Sequence, residues 1–178
     1  MRSMDDPEVT CAALALGSNL GDRAAILQGA VSALGRTPGI EVLAVSRVVE
    51  TDPVGGPEQD CYLNAVVLVR TNLAPLQLLD AARAVEQEFG RVREVRWGPR
   101  TLDVDVLAIG DVVLETERLT VPHPRAHERG FVLVPWADVD PLAWIPGHGS
   151  VTELRDLVGA DGVRDSDIVL VTAVDGGR

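Results

Sequence analysis

The side chains best able to do chemistry gather in Arg91–Leu107, RVREVRWGPRTLDVDVL. Arg91, Arg93, Arg96 and Arg100 crowd together with Trp97, Gly98 and Pro99, and Asp103 and Asp105 follow at a spacing of two. In a strand starting at Leu102, alternation puts Asp103 and Asp105 on one face and Leu102, Val104 and Val106 on the other. Like charges on neighbouring same-face positions repel unless a cation sits between them. A hard divalent ion such as magnesium meets that need, because it takes one or two carboxylates and completes its shell with water and substrate phosphates. Guanidinium forks match phosphate oxygens bidentately, which gives the upstream arginines a purpose. The same spacing also fits a half-buried strand with a solvated acidic face. The Trp-Gly-Pro and the arginines beside it favour a metal-phosphate site.

Composition narrows the classes. A chain of 178 residues with 46% hydrophobic content suits one domain with a real core, so residues 1–8 are expected to form a loose tail and residues 9–178 a single domain. No apolar run approaches the roughly 18 residues of a membrane span, and MRSMDDPEVT lacks the apolar segment of a signal peptide, so a cytoplasmic protein is expected. The net charge of −11 argues against nucleic acid. Between Arg91 and Phe131, however, seven arginines balance seven acids, which suits a small polyanion held with a metal. All 16 basic residues are arginine, which excludes a P-loop lysine, Schiff-base catalysis and a pyridoxal phosphate anchor. Cys11 and Cys61 have no metal-ligand spacing and read as small buried hydrophobes.

The elements that must position these residues follow from pattern. Val9–Leu16 reads as a buried strand ending in Gly17-Ser18-Asn19, and Asp22 caps a helix that Gly35 stops. Ile40–Val49 is a second strand, and Glu50–Cys61 is a connector long enough to be functional. Tyr62–Arg70 is a third strand, in which Asn64 needs a hydrogen-bond partner from the backbone or from a heterocyclic ligand. A helix starting at Pro75 closes at Gly90, and the Asp103/Asp105 strand turns at Gly110-Asp111 into a fifth strand, Val112–Thr120. This order is the α+β, ferredoxin-like βαββαβ plan with an added hairpin strand, two helices covering one face of an antiparallel sheet and the other face left to loops and ligands. His123, among prolines, could contact phosphate, serve as acid or base, or be structural. Arg125–Ala137 looks helical, Ser150 opens a last helix through a capping box, and Asp167–Val174 reads as a closing strand.

With these pieces placed, residues 10–147 resemble the 6-hydroxymethyl-7,8-dihydropterin pyrophosphokinases of folate biosynthesis. The resemblance rests on LALGSNLGDR, ETDP-x-G with DCYLNAVV, a helix ending in GRVR, RWGPRTLDVDVL and ERLTVPHPRAHERGFVL. It implies transfer of the β,γ-diphosphoryl group of ATP to the pterin hydroxymethyl oxygen, with AMP released and two Mg2+ ions on Asp103 and Asp105. Arg91 and Arg100 resemble the family's mobile catalytic arginines. ATP contacts carry over to Glu86, Arg93, Arg96, Trp97, Val106, Arg118, Thr120, His123 and Arg129. Pterin contacts carry over to Gly17, Ser18, Asn19, Thr51, Val54, Tyr62, Asn64 and Phe131, with Tyr62 and Phe131 as an aromatic sandwich and Asn64 reading the pyrimidinone edge. Glu50–Cys61 and Arg91–Arg100 would close as lids. ATP and the hydroxymethyl pterin are the expected partners of a monomer, without nucleic acid or membrane. The chain departs from the pattern at Asp52, where many relatives have proline, and between Arg93 and Arg96, one residue short; after Gly147 no match is seen. The rival reading is a non-catalytic ferredoxin-like domain that senses a nucleotide.

Overall fold

Alternation in β1 (Thr10–Ser18) sets the architecture: Leu14 and Leu16 turn to one side of the sheet, Ala13 and Ala15 to the other. The computed structural model describes residues 8–53, 58–90 and 101–172. After β1 come α1 (Arg23–Arg36), β2 (Ile40–Val45), β3 (Val49–Thr51), β4 (Tyr62–Thr71), α2 (Pro75–Glu88) and β5 (Asp103–Ile109). Then follow β6 (Leu114–Glu115), β7 (Thr120–Val121), α3 (Gly130–Val139), β8 (Trp144–Ile145), β9 (Gly149–Ser150), α4 (Val151–Val158) and β10 (Val163–Asp165).

The main sheet runs β10-β3-β4-β1-β5, with β2 also on β4, and every pairing is antiparallel. β2 and β3 are one line of chain broken at Ser46, whose Oγ accepts from Val66 N–H at 2.8 Å and so replaces a ladder bond. Counted as one strand they restore the βαββαβ order expected from the sequence, and the fold is α+β with a ferredoxin-like core and extra strands.

One face packs on α1 and α2. Leu27, Val31 and Leu34 of α1 and Leu78, Ala82 and Val85 of α2 meet Leu14, Leu16, Leu63, Val67, Val104 and Val106 from the sheet. Burial of each such leucine stabilises by ~1.5–3 kcal/mol. Asp22 caps α1, accepting from Ala25 N–H at 3.2 Å. Gly35 does not stop it: the helix runs to Arg36, Thr37 donates its Oγ1–H to the Ala33 carbonyl, and Gly39 at φ +86° makes the reversal.

Three expectations are corrected. The second face is covered by α3, with α4 packed on α3, because Ala13, Val66, Leu107 and Ala108 make it apolar and Val132, Leu133 and Trp136 bury against them. A bulge in β5 opposite Ala13 and Leu14 leaves Leu107 without a partner in the ladder, and its side chain joins that apolar area. Val112–Thr120 does not join the main sheet. The Gly110 turn at φ +48° redirects the chain, and Thr116 accepts from Leu119 N–H at 3.0 Å to close the β6-β7 hairpin by itself. The closing strand is Val163–Asp165 rather than Asp167–Val174, and it pairs with β3.

Cys11 is also exposed and Cys61 half-buried, so neither is the small core residue expected. The segment after Gly147 is integral to the fold. His148 stacks on His127 with ring centroids 3.7 Å apart, α4 packs on α3, and Ile168 and Leu170 join the core beside α1. No helix among the described residues is long and apolar enough to cross a membrane.

Candidate functional site

The register of three strands builds the site. Asn64 of β4 lies opposite Gly17 of β1, and Gly17 lies opposite Asp103 of β5. In the next row, Val66, Ala15 and Asp105 are aligned. Asn64, Asp103 and Asp105 therefore share one sheet face, on the side away from α1 and α2.

Around Asn64 the pieces interlock. Its amide Nδ2 donates to Thr51 Oγ1 at 2.9 Å, and Thr51 is paired with Tyr62. With that donor engaged, the Asn64 carbonyl oxygen has its place beside Gly17: a Cβ there would come within 3.1 Å of Oδ1 and 3.8 Å of Tyr62. Asn19 is buried, and its Nδ2 donates to Gln59 Oε1 at 2.7 Å and to the Asp60 carbonyl at 3.1 Å. Arg23, in the GDR of the first motif, donates to the Cys61 carbonyl at 2.7 Å. Ser18 shares its strand parity with Leu63 and Leu16, which sends its hydroxyl to the helix side, where it finds no partner among the described residues.

A cavity of about 240 Å³ follows the outer edge of β5. Its walls are Leu79, Arg83 and Glu86 of α2, Arg118–Thr120 of the hairpin, and His123. Among the described residues β5 pairs on one side only, so its backbone polar groups are presented to the cleft, except where His123 N–H donates to the Leu107 carbonyl at 2.8 Å. Val106 lines this cleft but its side chain is buried in the helix-side core, so it can serve a ligand only through its backbone. Arg118 pairs with Asp80 of α2 across the mouth.

Asp105 stands between these two regions, exposed, with Asp103 half-buried one step along. Burial pushes the His123 imidazole below its ordinary pKa; Asp105 opposes that shift, and Arg129 and Arg125 add to it. Burial likewise lowers Arg129, which sits at the N-terminal end of α3 with its guanidinium carbon 5.6 Å from the centre of the Phe131 ring. Asp105, His123 and Arg129 thus form one electrostatic group.

The donor set suits a hard cation. Two carboxylates on one strand face supply oxygen ligands only, and no third His, Cys, Asp or Glu joins them into a protein-only cage among the described residues. Magnesium, which keeps waters and takes phosphate oxygens, fits such a half-open pair.

Of the residues expected from sequence, Gly17, Asn19, Thr51, Tyr62 and Asn64 gather on one side, and Glu86, Val106, Arg118, Thr120 and His123 on the other, with Asp103 and Asp105 on the strand between. Arg91, Arg93, Arg96, Trp97, Arg100 and Val54 lie outside the described residues. Sequence reasoning missed Arg83 and Leu79 in the cleft wall, and Arg23 and Gln59 in the loop contacts. Arg23 was visible as part of GDR; the other three sit in ordinary helix and loop positions without a local signal.

Comparison with known proteins adds four findings. Residues 13–141 match the family model described as 7,8-dihydro-6-hydroxymethylpterin-pyrophosphokinase (HPPK). A 2-amino-4-hydroxy-6-hydroxymethyldihydropteridine pyrophosphokinase of Methylorubrum extorquens is 50% identical over 140 residues, spanning 79% of this chain and 89% of its own. One of the same description from Bacillus subtilis is 49% identical over 126 residues, spanning 71% and 75%. Among solved structures, wild-type HPPK-DHPS of Plasmodium falciparum, crystallised with pterin and p-hydroxybenzoate, superposes with a TM-score of 0.65 at 15% identity. That alignment covers 87% of this chain and 42% of the larger one, so it speaks to the fold alone.

Proposed function

The chain belongs to the 7,8-dihydro-6-hydroxymethylpterin-pyrophosphokinase family, and from that premise we propose that it transfers pyrophosphate from ATP to 6-hydroxymethyl-7,8-dihydropterin, giving AMP and the pterin diphosphate in folate biosynthesis. The observation that carries the proposal is the row Asn64–Gly17–Asp103, which sets an amide able to read a heterocycle edge in line with the first of two carboxylates.

The pterin would lie over Gly17, where no Cβ intervenes, with its pyrimidinone edge on Asn64 and its ring against Tyr62 and Phe131. Thr51 holds the Asn64 amide in one orientation, so the edge is met by a fixed donor and acceptor pattern. Adenine would take backbone groups on the open edge of β5 in the cleft under Glu86 and Thr120. Arg118, His123 and Arg129 would face the phosphates. Burial holds the His123 imidazole below its ordinary pKa, which favours a hydrogen bond to phosphate over an ion pair.

Asp103 and Asp105 would hold Mg2+, two ions in the full reading. Bound there, the metal neutralises the charge on the transferring and leaving phosphate oxygens. The chain itself contributes position: with the pterin over the Asn64–Gly17 row and ATP along the open edge of β5, the hydroxymethyl oxygen and the β-phosphorus would be brought into line, and this supplies most of what such a transfer needs. Arg91 and Arg100, with Arg93, Arg96 and Trp97, are proposed to add cationic contacts to the phosphates, and Val54 a backbone contact to the pterin. The proposal includes residues 9–178 as one domain working as a cytoplasmic monomer, an extent supported by the pairing of β10 with β3.

The test is the nucleotide product. Protein supplied with ATP, Mg2+ and the hydroxymethyl pterin should yield AMP in a 1:1 ratio to pterin diphosphate by ion-exchange chromatography. ADP as the sole product, or nucleotide binding by calorimetry that ignores both Mg2+ and pterin analogues, would point instead to another kinase or to the nucleotide sensor.

A further inference from the structure

The family match ends at residue 141, yet a residue beyond it reaches the pterin half of the site. β10 adds to the edge of β3 with Val163 opposite Thr51, Arg164 opposite Glu50 and Asp165 opposite Val49. Arg164 then bonds the residues flanking Thr51 on both sides. Its Nη2 donates to Asp52 Oδ1 at 3.1 Å and to Glu50 Oε1 at 3.3 Å, and its Nη1 to Asp52 Oδ2 at 3.3 Å. The thiol of Cys61 donates to Asp52 Oδ1 at 3.3 Å. One guanidinium therefore ties Asp52, where the chain leaves β3, to Cys61, where it returns towards β4.

The consequences converge on ligand-facing groups. Thr51, between the two clamped acids, accepts the Asn64 amide bond. Asp60 and Gln59, just before Cys61, hold Asn19, and the Cys61 carbonyl takes Arg23. Without the cation, Glu50 and Asp52 would leave two carboxylates unneutralised beside Thr51. We propose that Arg164 is a positioning residue for pterin binding, acting through Asp52 and Thr51 on Asn64, so that the C-terminal strand sets the affinity of the pterin half of the site and leaves the ATP cleft alone. The inference rests on the pyrophosphokinase reading given above.

β10 has a second, separate attachment that serves as the control. Arg47 pairs with Asp138 of α3 at 3.0 Å and with Asp165 of β10 at 3.5 Å, without touching Asp52. The pairs of Arg164 are exposed, so the effect should be moderate: a rise of about three- to tenfold in the KM and Kd for the pterin.

The experiment measures pterin Kd by calorimetry with a non-hydrolysable ATP analogue, and kcat and both KM values by AMP release, for wild type, R164A, R164K, D52A, R164A/D52A and R47A. The inference expects R164A to raise pterin Kd and KM with kcat and the ATP KM unchanged. It expects R164K to recover part of the loss, the double variant to be no worse than R164A alone, and R47A to match wild type. Unchanged pterin Kd in R164A overturns it. So does an equal rise in both KM values together with a fall in Tm, or an R47A variant that weakens pterin as much as R164A does, since either marks general support of the fold. A wild-type protein that binds pterin without releasing AMP sinks the reaction and leaves the Kd arm able to judge Arg164. If the wild type binds no pterin, both readings fall.

Discussion

Asn64 and Asp103 face each other across Gly17, in a single row of the antiparallel sheet. Two strand spacings separate their backbones by about 10 Å, a span that a bicyclic ring and its one-carbon arm can bridge. The groups proposed to read the ring and to manage the phosphates are thereby fixed to the same sheet.

Replacing either acid of the pair removes a proposed metal ligand without disturbing the core, because Asp105 is exposed and Asp103 half-buried. Asp103→Asn and Asp105→Asn should each lower kcat by about a hundredfold or more while leaving the circular dichroism unchanged. AMP release under saturating substrates measures this. Near-normal turnover in both variants would remove them as metal ligands.

Gly17→Ala places a methyl group 3.1 Å from Asn64 Oδ1. The amide must tilt, and its bond to Thr51 tilts with it. A rise of about tenfold in the pterin KM is expected, with the ATP KM within twofold of wild type, equivalent to ~1.4 kcal/mol of pterin binding. If Gly17→Ala binds pterin normally, the ring does not lie over Gly17.

Ser18 makes the opposite prediction from its neighbour. Its buried hydroxyl has no partner among the described residues and points to the helix side. Removing an unsatisfied buried polar group relieves its desolvation cost, so Ser18→Ala should hold or raise stability by up to about 1 kcal/mol in urea melts. Pterin affinity should stay within twofold. A marked loss of pterin binding would mean that the hydroxyl serves the ligand after all.

The Asp52–Arg164 contact predicts a pH dependence. Arg164, chiefly through its hydrogen bond, holds the Asp52 carboxyl below its ordinary 3.8, with Cys61 adding to the effect. A depressed carboxyl stabilises the fold above its unfolded pKa, and that contribution is lost as pH falls through the folded value. The difference in urea midpoint between wild type and Arg164→Ala should therefore be constant near neutrality and shrink below about pH 3.8. A difference that persists unchanged at lower pH would show that the guanidinium acts through packing and not charge.

Much of the site was legible from local pattern. The spacing of Asp103 and Asp105 put them on one strand face, the stripe of Leu27, Val31 and Leu34 built α1, and Asp22 capped it, as alternation and helical period require. The expectation that loops and ligands alone would cover the second face failed because α3, read only as a helix after the histidine turn, has an apolar surface that must be buried somewhere. Gly35 misled because a glycine ends a helix only where a left-handed residue is needed, and Gly39 fills that need. The C-terminal strand was misplaced because its alternation is short and charged.

Sequence by itself determined which face Asp103 and Asp105 take, since that follows from neighbours two residues apart. Tertiary structure alone decided that Asn64 and Asp103 share a row through Gly17, and that Arg164 closes on Asp52, 112 positions away. Register across a sheet is chosen by burial of all its strands together, and an ion pair between distant segments exists only once that burial has brought them side by side.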